Sequence, residues 1–439
     1  MRFSGNSQAL LDCKRSVPIK MFAALKSGND KNATPRIAAV LVVLVCLIAQ
    51  LASLYLLRGK IRQGLPDFID FYTAGKIVAD GNGSHLYDLA LQQQIEGRVS
   101  VRSNVHGFLP FVHPPFFALW MVVPAVFSYP AAYYVWWGCN QCFFWLALLV
   151  LNRALGGSTL RPGRLACAGL LFLPVTVAFW QGQDSLLTLL LFSLAYWFLS
   201  RRRAGLAGAV LGLGCFKPQH ALLMIALLIL TWRDKRRLAV GFLLSFLAET
   251  ALAAVVLGWR VVGGYPKFLA TFPSAFDEKN NSMNTMPNLQ GIMHFLLGGQ
   301  LPHTALTVVT VTLTGLLLLA TILVLRGRNA QTQPEELRYS LLTASTFLAS
   351  YHGHFHDMTL LLLPLLFVWN WLAGTRIDGL RQRFLAAGVA APFLGTFAAV
   401  LAPKLLGPMF ACAGLFFWGA LLWNLREQEP EAPHAEARG

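Results

Sequence analysis

Residues 37–57 read IAAVLVVLVCLIAQLASLYLL, without one charged side chain. A helix of about 20 apolar residues is long enough to cross the hydrocarbon core of a bilayer. The stretch is longer than the core of a signal peptide, and Arg58, Gly59 and Lys60 follow it directly where a cleavage site would need small residues. The stretch therefore predicts an uncleaved membrane anchor.

The rest of the chain repeats this pattern. Hydrophobic residues make up 56% of the 439 residues and charged residues 13%, and the mean hydropathy is +0.54. A soluble globular protein is seldom so apolar. The fold predicted is an all-α integral membrane protein with about 11 to 13 transmembrane or re-entrant helices. Further spans are expected at 131–152, 165–180, 184–200, 238–258, 304–325, 339–351, 357–373, 384–402 and 404–424.

Two short apolar pieces, 204–216 and 218–232, lie between the basic runs RRR and WRDKRR. Basic residues collect on the cytoplasmic side of membrane proteins, so both runs are expected there and the two pieces form a hairpin. Lys217 and Pro218 then lie at its outer tip. The apolar piece 115–128 is predicted to be a partial or interfacial helix.

The same rule divides the chain into a cytoplasmic segment 1–36, one polytopic domain 37–425 and a cytoplasmic tail 426–439. Most of the 36 Lys and Arg residues then face the cytoplasm. The net charge of +16 is mainly a sign of topology and of contact with membrane lipids, and nucleic acid is not expected as a partner. The predicted location is the plasma (inner) membrane.

Two outer loops, 59–114 and 259–303, are too long to be simple connections, and long loops are often functional. The first is predicted to contain helices at 68–80 and 86–98 around a Gly/Asn turn, both lying in the membrane interface. Glu249 is the one acid expected within a span, where an ionisable group is costly and either functional or paired with a neighbouring helix.

The first outer loop also contains the sharpest group of polar residues, in the run PDFIDFYTAG at 66–75. Asp67 and Asp70 are three residues apart and share one face of a helix. An acid at this position is suited to be a general base, but judged on position alone a helix N-cap is the favoured interpretation.

The order of further motifs resembles glycosyltransferase family 87 over nearly the whole chain. The first loop run is followed by Asp80-Gly81 and Leu86-Tyr87-Asp88. The later motifs are His113-Pro114-Pro115 with Pro124, Trp180-Gln181-Gly182-Gln183-Asp184, Phe216-Lys217-Pro218, Asn288-Leu289-Gln290-Gly291, and Ser350-Tyr351-His352 with His356-Asp357. The chain departs from the family pattern at Tyr351, where the family often has proline, so the choice among the following histidines stays open.

The resemblance implies a type C membrane glycosyltransferase that uses a polyprenyl-phosphate sugar, with no cofactor. It makes Asp67 the general base, with Asp70 as its rival. Lys217, His356, His354 and His352 become candidates for holding the leaving phosphate. Candidates for contacting the sugar or the acceptor are Tyr72, Gln181, Gln183, Asp184, Asn288 and Gln290. The four amides and Asp184 also suit the capping of helix ends.

The run of alternate histidines at 352–356 also suggests a metal site, because alternate residues of an extended strand share a face. A phosphate partner is the favoured interpretation, with a solvated turn as the alternative.

The resemblance predicts transfer of a hexose, with mannose as the favoured sugar, to a lipid-linked or glycan acceptor at the outer face by inverting single displacement. The alternative is a multi-helix transporter or lipid flippase, in which broken helices and a buried Glu249 are equally natural.

Overall fold

The computed structural model describes residues 33–101, 107–155, 162–272, 286–327, 330, 332–376, 379–401 and 405–426. All regular structure in these ranges is helical. The α-helices are α1 Ala33–Arg62, α2 Phe68–Ala79, α3 Leu89–Val99, α4 Pro115–Ala125, α5 Tyr129–Ala154, α6 Pro162–Leu171, α7 Leu173–Gln181, α8 Ser185–Ser200, α9 Ala204–Leu213, α10 Pro218–Thr231, α11 Lys235–Leu257, α12 Trp259–Thr271, α13 Leu289–Leu297, α14 His303–Arg326, α15 Glu335–Ala349, α16 Leu362–Gly374, α17 Leu380–Leu401 and α18 Leu406–Arg426. Short 3₁₀ turns occupy Gly83–His85, Gly214–Phe216 and Phe355–Leu361.

The all-α membrane fold predicted from the sequence is confirmed. Among the described residues, six helical segments are long and apolar enough to cross a membrane, and the bent pair α6 and α7 makes a seventh candidate. Four shorter apolar helical segments contain α4, α8, α9 and α10. The predicted cytoplasmic tail from 427 onward and most of the predicted segment 1–36 lie outside the described residues.

The continuous span predicted at 165–180 is wrong, because this segment bends by 65° between α6 and α7. The break falls at Phe172, and Pro174 stands in the first turn of the second helix. Proline lacks a backbone N–H and its ring clashes with the carbonyl four residues earlier, so α6 cannot continue through it. The consequence is a short α7 that ends at the polar run of 181–184.

Helix α2 is more enclosed than the predicted interfacial helix. Nine of its 12 residues are buried, Asp70 included. Helix α4 packs so closely along it that a Cβ added to Gly75 would overlap the carbonyl oxygen of Met121. Helix α4 has only 11 residues, too few to cross a bilayer, which agrees with the partial helix predicted there.

A group of buried polar residues and a set of arginine-rich loops lie at opposite ends of the bundle. One end contains the C-termini of α7 and α9 and the N-termini of α2, α8 and α10. At the opposite end Arg202 pairs with Glu335 at 3.0 Å, and Arg338 donates a hydrogen bond to the carbonyl of Thr231 at 3.0 Å. We call the first the polar end and the second the basic end.

Candidate functional site

A buried lysine lies at the centre of the polar end. Lys217 is 4% exposed, and its Nζ lies 2.6 Å from Oδ1 of Asp184 and forms a second ion pair with Asp357. Ser185 links the group: its Oγ accepts from Lys217 Nζ at 3.0 Å and donates to Oδ1 of Asp357 at 2.9 Å. Lys217, Asp184, Ser185 and Asp357 thus form one buried cluster, which we call the lysine group.

The break between α9 and α10 places Lys217 in this position. Pro218 begins α10, where its missing N–H costs nothing, and it disfavours helical backbone at the residue before it. Lys217 accordingly has φ −113° and ψ 77°, outside the helical region. The hairpin tip predicted from the sequence is therefore real, but its side chain is buried and paired.

The turn between α7 and α8 supplies the neighbouring polar groups. Gly182 has φ 65°, a left-handed conformation that glycine adopts without strain, and a Cβ there would lie 2.8 Å from Cβ of Phe68. Helix α5 anchors this turn, because Trp136 Nε1 donates to the carbonyl of Gly182 at 2.8 Å and Tyr133 OH to that of Trp180 at 2.8 Å. Gln181, Gln183 and Asp184 thereby face the polar end on a rigid turn.

Residues 352–357, which we call the histidine segment, join the site through Asp357. Its Oδ2 accepts from the backbone N–H of His354 at 2.9 Å, while Oδ1 contacts Lys217. His356 Nδ1 lies 3.0 Å from Oε1 of Gln181, and His352 and His354 are joined by their Nε2 atoms at 2.8 Å. The three histidines are thus adjacent to one another and to the lysine group.

Asp67 stands at the N-cap position of α2, but its backbone is helical and its side chain makes no capping hydrogen bond. Its Oδ2 instead accepts from Nε2 of Gln183 at 3.3 Å. The contact supports a role at the polar site more than a role as a cap. Asp70 is buried, and its Oδ1 accepts from the backbone N–H of Phe71 at 2.7 Å.

A histidine beside the lysine group, His113, was missed as a site residue. His113, from the His-Pro-Pro motif, donates Nδ1–H to the carbonyl of Phe216 at 3.0 Å and lies 3.9 Å from Asp184. Burial lowers the pKa of His113 and outweighs the opposing effect of Asp184. Burial and the neighbouring histidines lower the pKa of His354 well below its ordinary value. Burial therefore favours the neutral form of both rings.

His220, Ser185 and Asp357 were also left out of the predicted site. His220 is 1% exposed, and neither of its ring nitrogens has a hydrogen-bond partner in the described part of the chain. Each of the three follows or accompanies a residue that was chosen: His220 comes three residues after Lys217, Ser185 follows Asp184, and Asp357 follows His356. Their position next to chosen motif residues was the signal in the sequence that could have identified them.

For three predicted site residues, the contacts described by the structure lie away from the lysine group. The hydroxyl of Tyr72 donates to the carbonyl of Phe127 at 3.1 Å. Asn288 caps α13 by accepting from Gly291 N–H at 2.9 Å, and its amide donates to the carbonyl of Ser350 at 2.9 Å. Gln290 lines a separate cavity of about 130 Å³ between α13, α14 and α15. Asn288 therefore contacts the backbone two residues before His352.

No group of three or more His, Cys, Asp or Glu side chains in the described ranges is arranged to hold a metal ion. Glu249, on α11, is 8% exposed, and within those ranges its carboxylate oxygens find no hydrogen-bond donor.

The arrangement provides the parts of a group transfer between hydroxyl and phosphate oxygens. Asp67 can accept a proton, Gln183 orients it, and one buried ammonium with several imidazoles lies within reach of a leaving anion. All of these groups lie at the polar end of an apolar bundle.

Comparison with known proteins identifies a family for the chain. The model of glycosyltransferase family 87 matches residues 111–350, more than half of the chain. Gln181, Gln183, Asp184, Lys217 and Asn288 lie within the match, whereas Asp67 and the segment 352–357 lie outside it. No curated protein and no solved structure matches the chain significantly.

Proposed function

The chain belongs to glycosyltransferase family 87. On this premise we propose that it transfers a hexose from a polyprenyl-phosphate sugar to a lipid-linked or glycan acceptor, and that the hexose is mannose. The observation that carries the proposal is the convergence of Asp67, Lys217 and His356 at one end of the bundle. Family membership makes the chain a membrane glycosyltransferase and favours the enzyme over the transporter. The sugar, the donor and the side of the membrane are our inference.

The proposed reaction is a single displacement. The acceptor hydroxyl attacks the anomeric carbon, Asp67 takes the hydroxyl proton, and the bond from that carbon to the phosphate oxygen breaks, so that polyprenyl phosphate leaves. The anomeric configuration is inverted. Gln183 holds the carboxylate of Asp67 by its hydrogen bond at 3.3 Å, which sets the direction from which a proton is accepted.

The leaving phosphate is assigned to His356 and Lys217, with His354 and His352 beside them. The ammonium of Lys217 already has two carboxylate partners, so it can contact phosphate only by exchanging one of them. Nδ1 of His356 donates to Oε1 of Gln181, and Nε2 lies 3.6 Å from Asp357. Nε2 donates to a phosphate oxygen only when the ring carries both protons. We place this end of the bundle at the outer face, where a flipped donor presents its phosphate at headgroup level.

The proposal is tested in proteoliposomes with labelled polyprenyl-phosphate mannose and a lipid-linked glycan acceptor. Asp67→Asn keeps the shape of the side chain and removes its basicity, so we expect transfer to fall by about 10²- to 10⁴-fold. Asp80→Asn is the matched control, because Asp80 belongs to the same loop but forms an exposed ion pair with Lys76. Full transfer by Asp67→Asn, with loss in Asp70→Asn, would give the role of base to Asp70.

A binding measurement separates the base from the phosphate site. Polyprenyl phosphate, the released product, should raise the thermal unfolding midpoint of the wild type and of Asp67→Asn alike. His356→Ala should lose most of that stabilisation. If polyprenyl phosphate stabilises none of the proteins, and transfer fails with several polyprenyl-phosphate sugars, the proposed donor class is wrong.

A further inference from the structure

A groove of about 750 Å³ lies between α9 and α11 at the basic end, remote from the site described above. Four arginines line it: Arg202 and Arg203 before α9, and Arg236 and Arg237 in the first turn of α11. Its remaining lining is almost wholly small or apolar. A cationic rim over an apolar slot has no role in the proposed reaction.

The groove is shaped by residues without side chains. Helices α9 and α11 touch through glycines, since a Cβ added to Gly241 would overlap the carbonyl oxygen of Gly205. Gly205, Ala209 and Gly241 therefore form a floor made largely of backbone. The apolar side chains along it stand apart and are exposed: Leu206 by 47%, Val240 by 55% and Leu244 by 65%.

The arginines of the rim are largely unneutralised. Arg202 pairs with Glu335 at 3.0 Å, whereas no carboxylate within the described ranges pairs with Arg203, Arg236 or Arg237, all of which are exposed. A guanidinium binds phosphate through two parallel hydrogen bonds. The rim is therefore complementary to a phosphate group.

The groove runs from this rim into the apolar part of the bundle. Leu244 comes eight residues after Arg236, which is about 12 Å along a helix. A free phosphate ion would use the arginines alone and would leave the apolar slot without a function. A phospholipid uses both, because its phosphate lies at headgroup level and its acyl chains extend inward.

We propose that this groove is a binding site for an anionic glycerophospholipid of the membrane leaflet at the basic end. Arg203, Arg236 and Arg237 hold its headgroup phosphate, and one acyl chain lies over Gly205 and Ala209 between Leu206 and Leu244. Basic pockets between transmembrane helices are a recurring form of such sites. The proposal does not depend on the identity of the transferred sugar.

The full-length protein, purified and delipidated in mild detergent, is titrated with phosphatidylglycerol or phosphatidylcholine and bound lipid is counted by native mass spectrometry. The wild type is expected to prefer phosphatidylglycerol. The triple variant Arg203→Gln, Arg236→Gln, Arg237→Gln should bind it about a hundredfold more weakly, at about one kcal/mol for each arginine. The control carries Arg326→Gln, Arg383→Gln and Arg426→Gln, three exposed arginines at the basic end but outside the groove, and should bind as the wild type does.

A second variant tests the apolar slot. Ala209→Phe fills the floor without altering charge and should lower phosphatidylglycerol binding at least tenfold, while the unfolding transition in detergent shows that the protein remains folded. Inorganic phosphate at millimolar concentration should not compete. Equal binding of phosphatidylcholine, equal loss in the control, full binding by Ala209→Phe or competition by inorganic phosphate would each overturn the proposal.

Discussion

At the scale of single residues, Lys217 decides the character of the polar end. It is buried between Asp184 and Asp357 with Ser185 bridging, and these contacts join three distant segments of the chain. Buried ions are stable only when they are paired and hydrogen-bonded, so each member of the group depends on the others. Lys217 was predicted as a phosphate-binding residue at a hairpin tip. Its ion pairs also connect the segments that form the site.

Replacement of Lys217 by methionine should therefore destabilise the protein by about 3–5 kcal/mol, because two buried carboxylates lose their cation. The measurement is the free energy of unfolding in detergent, followed by tryptophan fluorescence. Lys76→Met is the control: its ion pair with Asp80 is equally short at 2.7 Å but exposed, and such pairs contribute about 0–1 kcal/mol. Similar losses of unfolding free energy in both variants would contradict a larger stabilising contribution from the buried ion pairs.

At the scale of helices, the contact of α9 with α11 illustrates how a membrane bundle packs. Gly208, Gly212 and Gly241 bring the two backbones together, since a Cβ at each would strike the opposite helix. Small residues at such positions are typical of transmembrane interfaces, where close packing replaces the hydrophobic effect as the cause of association. The same close contact forms the floor of the groove at the basic end. It also fixes the position of α9 in the hairpin that carries Lys217.

Gly241→Ala should thus cost about 1–3 kcal/mol, because the added methyl forces α9 and α11 apart. Gly315→Ala, within α14, is the matched change, since nothing lies within 4 Å of the added Cβ. There the better helix propensity of alanine should stabilise the protein by about 0.5–1 kcal/mol. Thermal unfolding of both variants in the same detergent decides the matter, and a neutral Gly241→Ala would contradict the close packing described.

At the scale of the whole molecule, the arginine-rich loops and the buried lysine group lie at opposite ends of the bundle. Arg202 with Glu335 and Arg338 with Thr231 mark one end, and the lysine group marks the other. Basic residues stay preferentially on the cytoplasmic side of a membrane. We therefore expect the polar end, with the proposed transfer, at the outer face.

This orientation predicts a labelling pattern in a variant without native cysteines. Ser84→Cys, exposed on the loop between α2 and α3, should react with a membrane-impermeant maleimide in intact cells. Lys235→Cys, exposed at the start of α11, should react only after permeabilisation. The reverse pattern would place the polar end in the cytoplasm and remove the need for a flipped donor.

Many features of the fold were predictable because hydrophobic length is a local property. Spans such as 303–326 and the hairpin around Lys217 follow from runs of apolar residues, basic flanks and proline. The bend at Phe172 was missed, although Pro174 marked it, since overall hydropathy does not distinguish a straight span from a broken one. The burial of α2 was also missed, because its enclosure depends on α4.

By itself, the sequence determined that this protein crosses a membrane, and the order of its short motifs indicated the family. Only the tertiary structure decided that Asp67 contacts Gln183 rather than capping α2, that Lys217 is paired with Asp184 and Asp357, and that His113 lies beside them. The physical reason is distance along the chain: these contacts join residues 67, 113, 184, 217 and 357, and no local pattern encodes which polar groups meet once the helices pack.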